Sequence, residues 1–279
     1  MSIKKQFITI FKPIFERIPF LARLYRDFRD NKYYNSEPKD TPWGFKFVGH
    51  ADMQSGKFEP KETEMFLSII KDVDVLVNVG ANVGYYCCLA LNHNKYVYAF
   101  EPVILNLKTL LKNIKINNWE DNIEIYPLAL SNKKSGIIEI YGGGTGASLV
   151  EGWADVKDGS TSLVPITTLD NVLSNKLMNK KSFILVDIEG SEKYMLEGAL
   201  SIFVNDPKPI WMIEITITEH WPKGVKINPN LLSTFQMFWD HGYVAKTACK
   251  DNRLVTKAEI ESIVNTGVDT LNTHNFLFS

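Results

Sequence analysis

Apolar and polar positions change period several times along the chain. Ile3, Phe7, Ile10, Phe11, Ile14, Phe15 and Ile18 recur at helical spacing, which predicts an amphipathic N-terminal helix. Residues 31–58 show no such period and mix aromatics with turn formers (Pro38, Pro42, Gly44, Gly49, Gly56), the pattern of an irregular covering segment. Pro60 suits a first helical position, and Phe66, Leu67, Ile69 and Ile70 supply a buried stripe behind it. From Val75 onward, short apolar runs alternate with segments of helical period. Strands are expected at 75–79, 96–100, 123–127, 183–188 and 210–215, and helices near 84–92, 103–117, 190–201 and 229–241. This rhythm predicts an α/β fold with a mostly parallel sheet covered on both faces. Residues 136–141 and 162–167 read as additional strands flanking a loop, 142–160, that carries six glycines. Residues 243–247 and 275–278 predict an antiparallel pair at one sheet edge. With no repeat to divide it, the chain reads as an extension, 1–58, followed by one domain, 59–279.

The candidate chemistry lies at the ends of the predicted strands. The run Val75–Val79 breaks into Gly80-Ala81-Asn82-Val83-Gly84, and the next strand closes on Glu101. Strand, glycine turn, helix, strand, acid is the layout that cradles an adenosine-containing cofactor. The glycines admit close backbone approach, and the acid accepts hydrogen bonds from ribose hydroxyls. A nicotinamide fingerprint would space its glycines GxGxxG. The spacing here is GxxxG, with Asn82 between, which fits the turn that carries S-adenosylmethionine. Asn78 stands where most such enzymes place an aspartate.

Two more segments bring acids to the same sheet end. In FILVDIEGSE, Asp187 interrupts an otherwise apolar strand near its C-terminal end, and Glu189 and Glu192 follow. Glu192 also reads as a first-turn carboxylate drawn to a helix N-terminus. In WMIEITITEHW, Glu214 nearly ends the neighbouring strand, with Glu219, His220 and Trp221 in the loop beyond. Asp187, Glu189 and His220 are the candidate proton acceptors. Asp187, Glu189 and Glu214 form an oxygen-rich set suited to an acceptor's hydroxyls or to Mg²⁺. Trp153 and Trp221 offer flat faces for a sugar, or pack as core and rim. The glycine-rich loop 142–160 has the composition of a lid.

Composition narrows the classes. A net charge of -1 lacks the basic footprint of a nucleic-acid binder, and no DPPY-like, Pro-Cys, GxSxG or HExxH signature occurs. Residues 1–30 nevertheless carry a net +4, and the remainder -5. A basic amphipathic helix of this kind either packs on its own domain or lies peripherally on an anionic membrane. Three cysteines without a CxxC indicate neither a disulfide framework nor zinc, and a cytoplasmic, reducing compartment is expected.

Taken together, VNVGANVGYY, the AFEP ending in Pro102, LALS at 128–131, TTLD at 167–170, VDIEGSE and the C-terminal HNFLF, with the leader GFKF…GKFEPKETE, resemble the FkbM-type methyltransferases. The resemblance spans roughly residues 43 to 279. It implies a Rossmann-like class I methyltransferase fold, with a mostly parallel seven-stranded sheet and an antiparallel edge strand, here behind an N-terminal helical extension. It also implies S-adenosylmethionine as cofactor and O-methylation of a hydroxyl on a sugar, glycan, glycolipid or small natural product. Carried over, Asn78, Gly80, Asn82, Gly84, Glu101 and Ala129 fall in cofactor-binding segments, and Asp187 and Glu189 in the D-x-E-G segment. Asn78 departs from an aspartate, and Leu185 from a lysine often found two places before the D-x-E-G acid. A carboxylate cluster without that lysine must raise its pKa values or find another counter-charge. A nicotinamide-dependent oxidoreductase and a non-catalytic cofactor- or partner-binding module are the alternative readings.

Overall fold

A computed structural model of the chain describes residues 34–155 and 161–279. The amphipathic helix expected within residues 1–30 lies outside the described residues, as do residues 156–160 of the glycine-rich loop. The centre of the molecule is a seven-stranded sheet whose strands we number β1 (Val75–Val79), β2 (Tyr96–Phe100), β3 (Ile123–Tyr126), β4 (Ser182–Val186), β5 (Ile210–Glu214), β6 (Ala245–Thr247) and β7 (Asn275–Phe278). Their spatial order is β6-β7-β5-β4-β1-β2-β3. The five strands from β3 to β5 are parallel, and β7 runs antiparallel to both β5 and β6. This is the Rossmann-like architecture of the class I methyltransferases.

Burial explains the strand sequences. β1, β4 and β7 are buried at every position, because helices cover both faces of the sheet and leave no polar side to alternate with. β7 is buried throughout because it is inserted between β5 and β6; the shorter β6 takes the edge. One face packs against Leu169, Leu173, Met195, Phe203, Phe235 and Phe238, with Phe238 stacked on Phe278 at 3.7 Å between ring centres. The other packs against the helices Tyr85–Asn92 and Ile104–Lys115 and against the leader. The expected helix at 190–201 forms as two short ones, Glu192–Glu197 and Leu200–Phe203. At the break the Gly198 carbonyl accepts the Asp170 amide at 2.9 Å instead of continuing the helix.

The covering segment before residue 59 belongs to the core. Phe45, Phe47 and Met53 are buried beside Phe66 and Tyr85. Asn113, wholly buried on the helix after β2, fixes the segment in place. Its Oδ1 accepts the Val48 amide at 2.7 Å, and its Nδ2 donates to the carbonyls of Val48 and Val83, each at 2.9 Å. One side chain thus ties the leader to the glycine turn. A second, three-stranded sheet is built from Ala129–Leu130, Thr161–Thr167 and Gly136–Tyr141, in that order. Among the described residues no helix is long and apolar enough to cross a membrane.

Asn113→Ala leaves three backbone groups without partners, each costing about 1–3 kcal/mol when buried. Urea unfolding of this variant is expected to show a stability loss of about 3 kcal/mol or more. A loss below about 1 kcal/mol would mean that the leader is not held through Asn113.

Candidate functional site

The C-terminal ends of β1, β2, β4 and β5 open into two adjoining clefts. The first, of about 590 Å³, is lined by Gly80, Asn82, Glu101, Ala129, Asp187 and Glu189, with Val103, Leu128, Leu130 and Ile140 as an apolar slot. The second, of about 520 Å³, shares Gly80, Asn82 and Asp187 and extends to Glu59, Tyr86, Glu214 and Asn275. Asp187 therefore stands at the junction.

The glycine turn makes this junction. Gly80 has φ +84, and a Cβ placed on it would lie 1.8 Å from the Asp187 carbonyl oxygen. No side chain fits there, so the turn after β1 rests directly on the strand end that carries Asp187. Asn82 follows at φ +52. Its amide donates to Glu101 Oε2 at 2.7 Å, while its own Oδ1 is buried without a hydrogen-bond partner. Gly84 lines neither cleft; it packs the turn against Leu110. Asn78 is buried within β1, where its Nδ2 donates to Cys87 Sγ at 3.3 Å and its side chain borders the second cleft.

Glu101 directly follows β2 and is 4% exposed. Its Oε1 accepts the Val103 amide at 2.8 Å and Asn106 Nδ2 at 3.2 Å, whereas Oε2 accepts only Asn82. A carboxylate oxygen has two acceptor positions, so Oε2 keeps one for a hydroxyl in the first cleft. Burial pushes the Glu101 carboxyl up to about 7, against the opposing pull of the Val103 and Asn82 amides and the Asn106 side chain.

Around Asp187 the acids crowd. Burial raises Asp187 well above the usual carboxylate range, and the charges of Glu189, Glu59, Glu192 and Glu101 add to the effect. Glu214 is raised by burial and then by Asp187, Glu189, Glu59 and Glu192. Glu59 sits at φ +40 in front of Pro60 and is likewise raised by burial, although Tyr86 Oη donates to its Oε2 at 2.7 Å. Leu185, where the resemblance would place a lysine, lines the second cleft, and among the described residues no lysine or arginine lines that cleft with it. Among the described residues no three His, Cys, Asp or Glu side chains are disposed to hold a metal ion.

The other candidates hold the rim. Trp153 Nε1 donates to Glu189 Oε2 at 2.7 Å, and Ser148 Oγ donates to the Glu189 carbonyl at 2.5 Å. The Trp153 ring would lie 2.4 Å from a Cβ on Gly190. Glu189 thereby latches the loop after residue 142 over the strand end, and burial raises its pKa while Trp153, His220 and His274 pull it down. His220 lines neither cleft. It stands 5.9 Å from the Trp153 ring, and Trp221 meets the same ring edge-on at 5.0 Å. Trp153 is 1% exposed and so presents no open face for a sugar. Glu192 is buried and accepts the Gly190 amide at 2.9 Å, as a first-turn carboxylate of the helix Glu192–Glu197.

The profile of the methyltransferase FkbM domain matches residues 78–245. The chain belongs to the FkbM methyltransferase family. No curated protein matches it. Its structure is similar to an O-methyltransferase from Bacillus cereus in complex with SAH (10% identity, 78% of each chain covered, TM-score 0.43). It is also similar to a precorrin-6y C5,15-methyltransferase from Geobacter metallireducens (13% identity, 86% of this chain and 97% of the other covered, TM-score 0.41).

Two residues of this FkbM methyltransferase site escaped the sequence reading, and both lie outside the matched range. Glu59 is part of the quoted leader, and an acid immediately before a helix-initiating proline was its only signal. Asn275 opens the C-terminal strand, and only its pairing with Glu214 across the sheet gives it meaning.

The raised Glu101 value carries a stability consequence with a defined sign. The folded state keeps this proton up to about pH 7, the unfolded chain only to about pH 4.5. Its contribution is therefore complete below pH 4.5 and is lost as pH rises through 7, by about 3 kcal/mol. The ligand-free protein should melt higher at pH 5 than at pH 8, and Glu101→Gln should flatten part of that slope in a pH series of thermal melts. An unchanged slope in the variant would place Glu101 in a solvated setting.

Proposed function

We propose that this FkbM methyltransferase uses S-adenosylmethionine to O-methylate a hydroxyl of a sugar, glycan or glycolipid. The observation that carries the reading is the junction itself: Asp187 faces both a cleft fitted to an adenosine moiety and a second, separate cleft. The cofactor's fit to the first cleft rests on two unspent acceptors. Glu101 Oε2 has one free position, suited to a ribose hydroxyl, and the buried Asn82 Oδ1 has no partner. When bound, S-adenosylmethionine supplies an electrophilic methyl group on a sulfonium.

The chain's own contribution is placement, exclusion of water and custody of one proton. Gly80 and Asn82 bring backbone up to the cofactor, and the latched loop at Ser148 and Trp153 closes the rim against solvent. Alignment of the two reactants in adjoining clefts supplies much of the rate. Asp187 is the proton acceptor for the attacking hydroxyl. Without ligands it is held protonated by burial and by its acidic neighbours; positive charge arriving at the junction releases that proton and readies the carboxylate. Glu189 is committed to Trp153 and acts as a positioning residue. The basic residues 1–30 support recruitment to an anionic membrane surface on which glycan intermediates are assembled.

Methyl-label transfer into a fractionated host extract tests the acceptor class. Label is expected in saccharide or glycolipid; label in protein or nucleic acid would overturn the proposal. Glu101→Ala should weaken cofactor binding at least about 30-fold, the scale of a lost charge-assisted hydrogen bond. Asp187→Asn should leave cofactor affinity nearly intact and slow turnover at least about 100-fold. Near-normal turnover would remove Asp187 as the base.

A further inference from the structure

Asn106 stands in the first turn of the helix Ile104–Lys115, is 6% exposed and lines the first cleft. Its Nδ2 donates to Glu101 Oε1 at 3.2 Å and to the Gly144 carbonyl at 3.0 Å. A side-chain amide carries two N–H donors, so this one spends both on elements of different origin. One partner is the acid that follows β2. The other belongs to the loop after residue 142.

That loop is closed at its base and loosely packed at its crown. Tyr141 and Ser148 exchange backbone hydrogen bonds of 2.8 and 3.0 Å, which fixes the base. Between them Gly142 and Gly144 take φ values of +83 and +64, and a Cβ on Gly143 or Gly146 would meet nothing within 4 Å. Gly144, Ala147 and Leu149 nevertheless line the same apolar slot as Val103, Leu128 and Leu130. The loop is therefore one wall of the slot, and Asn106 reaches the crown of that wall. A ligand that buries its base in the slot needs the wall in place, and its ribose needs Glu101 correctly turned. One amide serves both.

We propose that Asn106 is a positioning residue for the cofactor, coupling closure of the loop 142–149 to the setting of the ribose-binding carboxylate Glu101. This rests on the S-adenosylmethionine reading above and adds a residue and a linkage to it. With the loop in place the amide is held from both sides, since turning it toward either partner lengthens the bond to the other. Glu101 Oε1 then accepts from Val103 and Asn106 together, which leaves Oε2 and its free position for the cleft. When the loop withdraws, the Gly144 anchor goes with it, the amide is free to rotate, and Oε1 loses a fixed donor. Burial raises the Glu101 carboxyl, and Asn106 is one of three groups that oppose the rise. Its departure therefore favours the protonated acid, a poorer acceptor for a ribose hydroxyl. The linkage is reciprocal: the factor that closure adds to cofactor affinity is the factor that cofactor adds to closure.

The test titrates the full chain with S-adenosylhomocysteine by calorimetry and follows amide hydrogen exchange of residues 141–149 with and without it. In the unsubstituted protein the ligand should slow exchange of the Tyr141 and Ser148 amides at least about tenfold. Asn106→Ala should weaken the ligand at least about tenfold, and saturating ligand should then leave the loop exchanging nearly as fast as in the empty variant. Asn106→Ser, with one donor for two acceptors, should fall between the two and serves alone if the alanine variant does not fold. Asn171→Ala removes an exposed amide bonded to the Lys134 carbonyl and should change neither reading. Asn106 variants that bind as tightly as the unsubstituted protein would overturn the proposal. So would variants that bind weakly yet still protect the loop at saturation, because the amide would then be a local contact without linkage. Binding by the unsubstituted protein with no loop protection would overturn it while leaving the cofactor reading intact. Failure of the unsubstituted protein to bind S-adenosylhomocysteine would sink both.

Discussion

The contact on which this site depends is between two backbones. Gly80 lies against the Asp187 carbonyl so closely that the first carbon of any side chain would overlap it. That approach joins the turn after β1 to the end of β4, and everything else is referred to it. The Asn82 amide reaches Glu101 because the turn is drawn inward, and Asp187 faces two clefts because the turn lies beside it. A left-handed φ and a missing Cβ are separate requirements, and only glycine meets both.

Around that contact the protein concentrates acids and withholds bases. Glu59, Asp187 and Glu214 come from the leader and from the ends of two different strands, yet their burial sites adjoin: Glu59 raises the proton affinity of Asp187 and Glu214, and Asp187 that of Glu214. Asn78 in place of an aspartate removes one further negative charge, and Leu185 in place of a lysine removes the positive one. The result is a site poised for positive charge rather than one already neutralised. In such a site ligand charge and proton release are coupled: a cation that binds lowers the affinity of the neighbouring carboxyl for its proton. Burying these carboxyl groups costs stability in the empty protein, which is tolerable because the fold rests on the apolar faces of the sheet.

The loop after residue 142 adds closure. It is held to the strand end through Trp153 and Ser148, both of which bond to Glu189, with the Trp153 ring seated over Gly190. It is also tied by Asn106 to the Gly144 carbonyl and by the Ala154 amide to the His220 carbonyl. A carboxylate that the sequence offers as a base thus also anchors this loop. The indole N–H that it accepts is a contact that no periodicity or motif encodes.

The local pattern of residues determined the elements and much of the fold. β1, β2 and the Gly80 turn were legible because an apolar run, a glycine and a strand-ending acid are local features, and so was the placement of Asp187 and Glu214 at strand ends. The tertiary structure alone decided which ends meet. Sequence alternation cannot order strands, so the pairing of Glu214 with Asn275, 61 positions apart in the chain, emerged only when β7 entered beside β5. The same holds for Glu59, whose place in the site depends on how the covering segment packs through Phe47 and Asn113. Gly84 and Glu189 show the converse: their motifs were visible, but their roles, packing against Leu110 and holding Trp153, depend on neighbours brought from elsewhere. Local propensity selects a strand or a turn through backbone sterics and the period of burial. A site is made of distances between elements, and those follow from the packing of the whole.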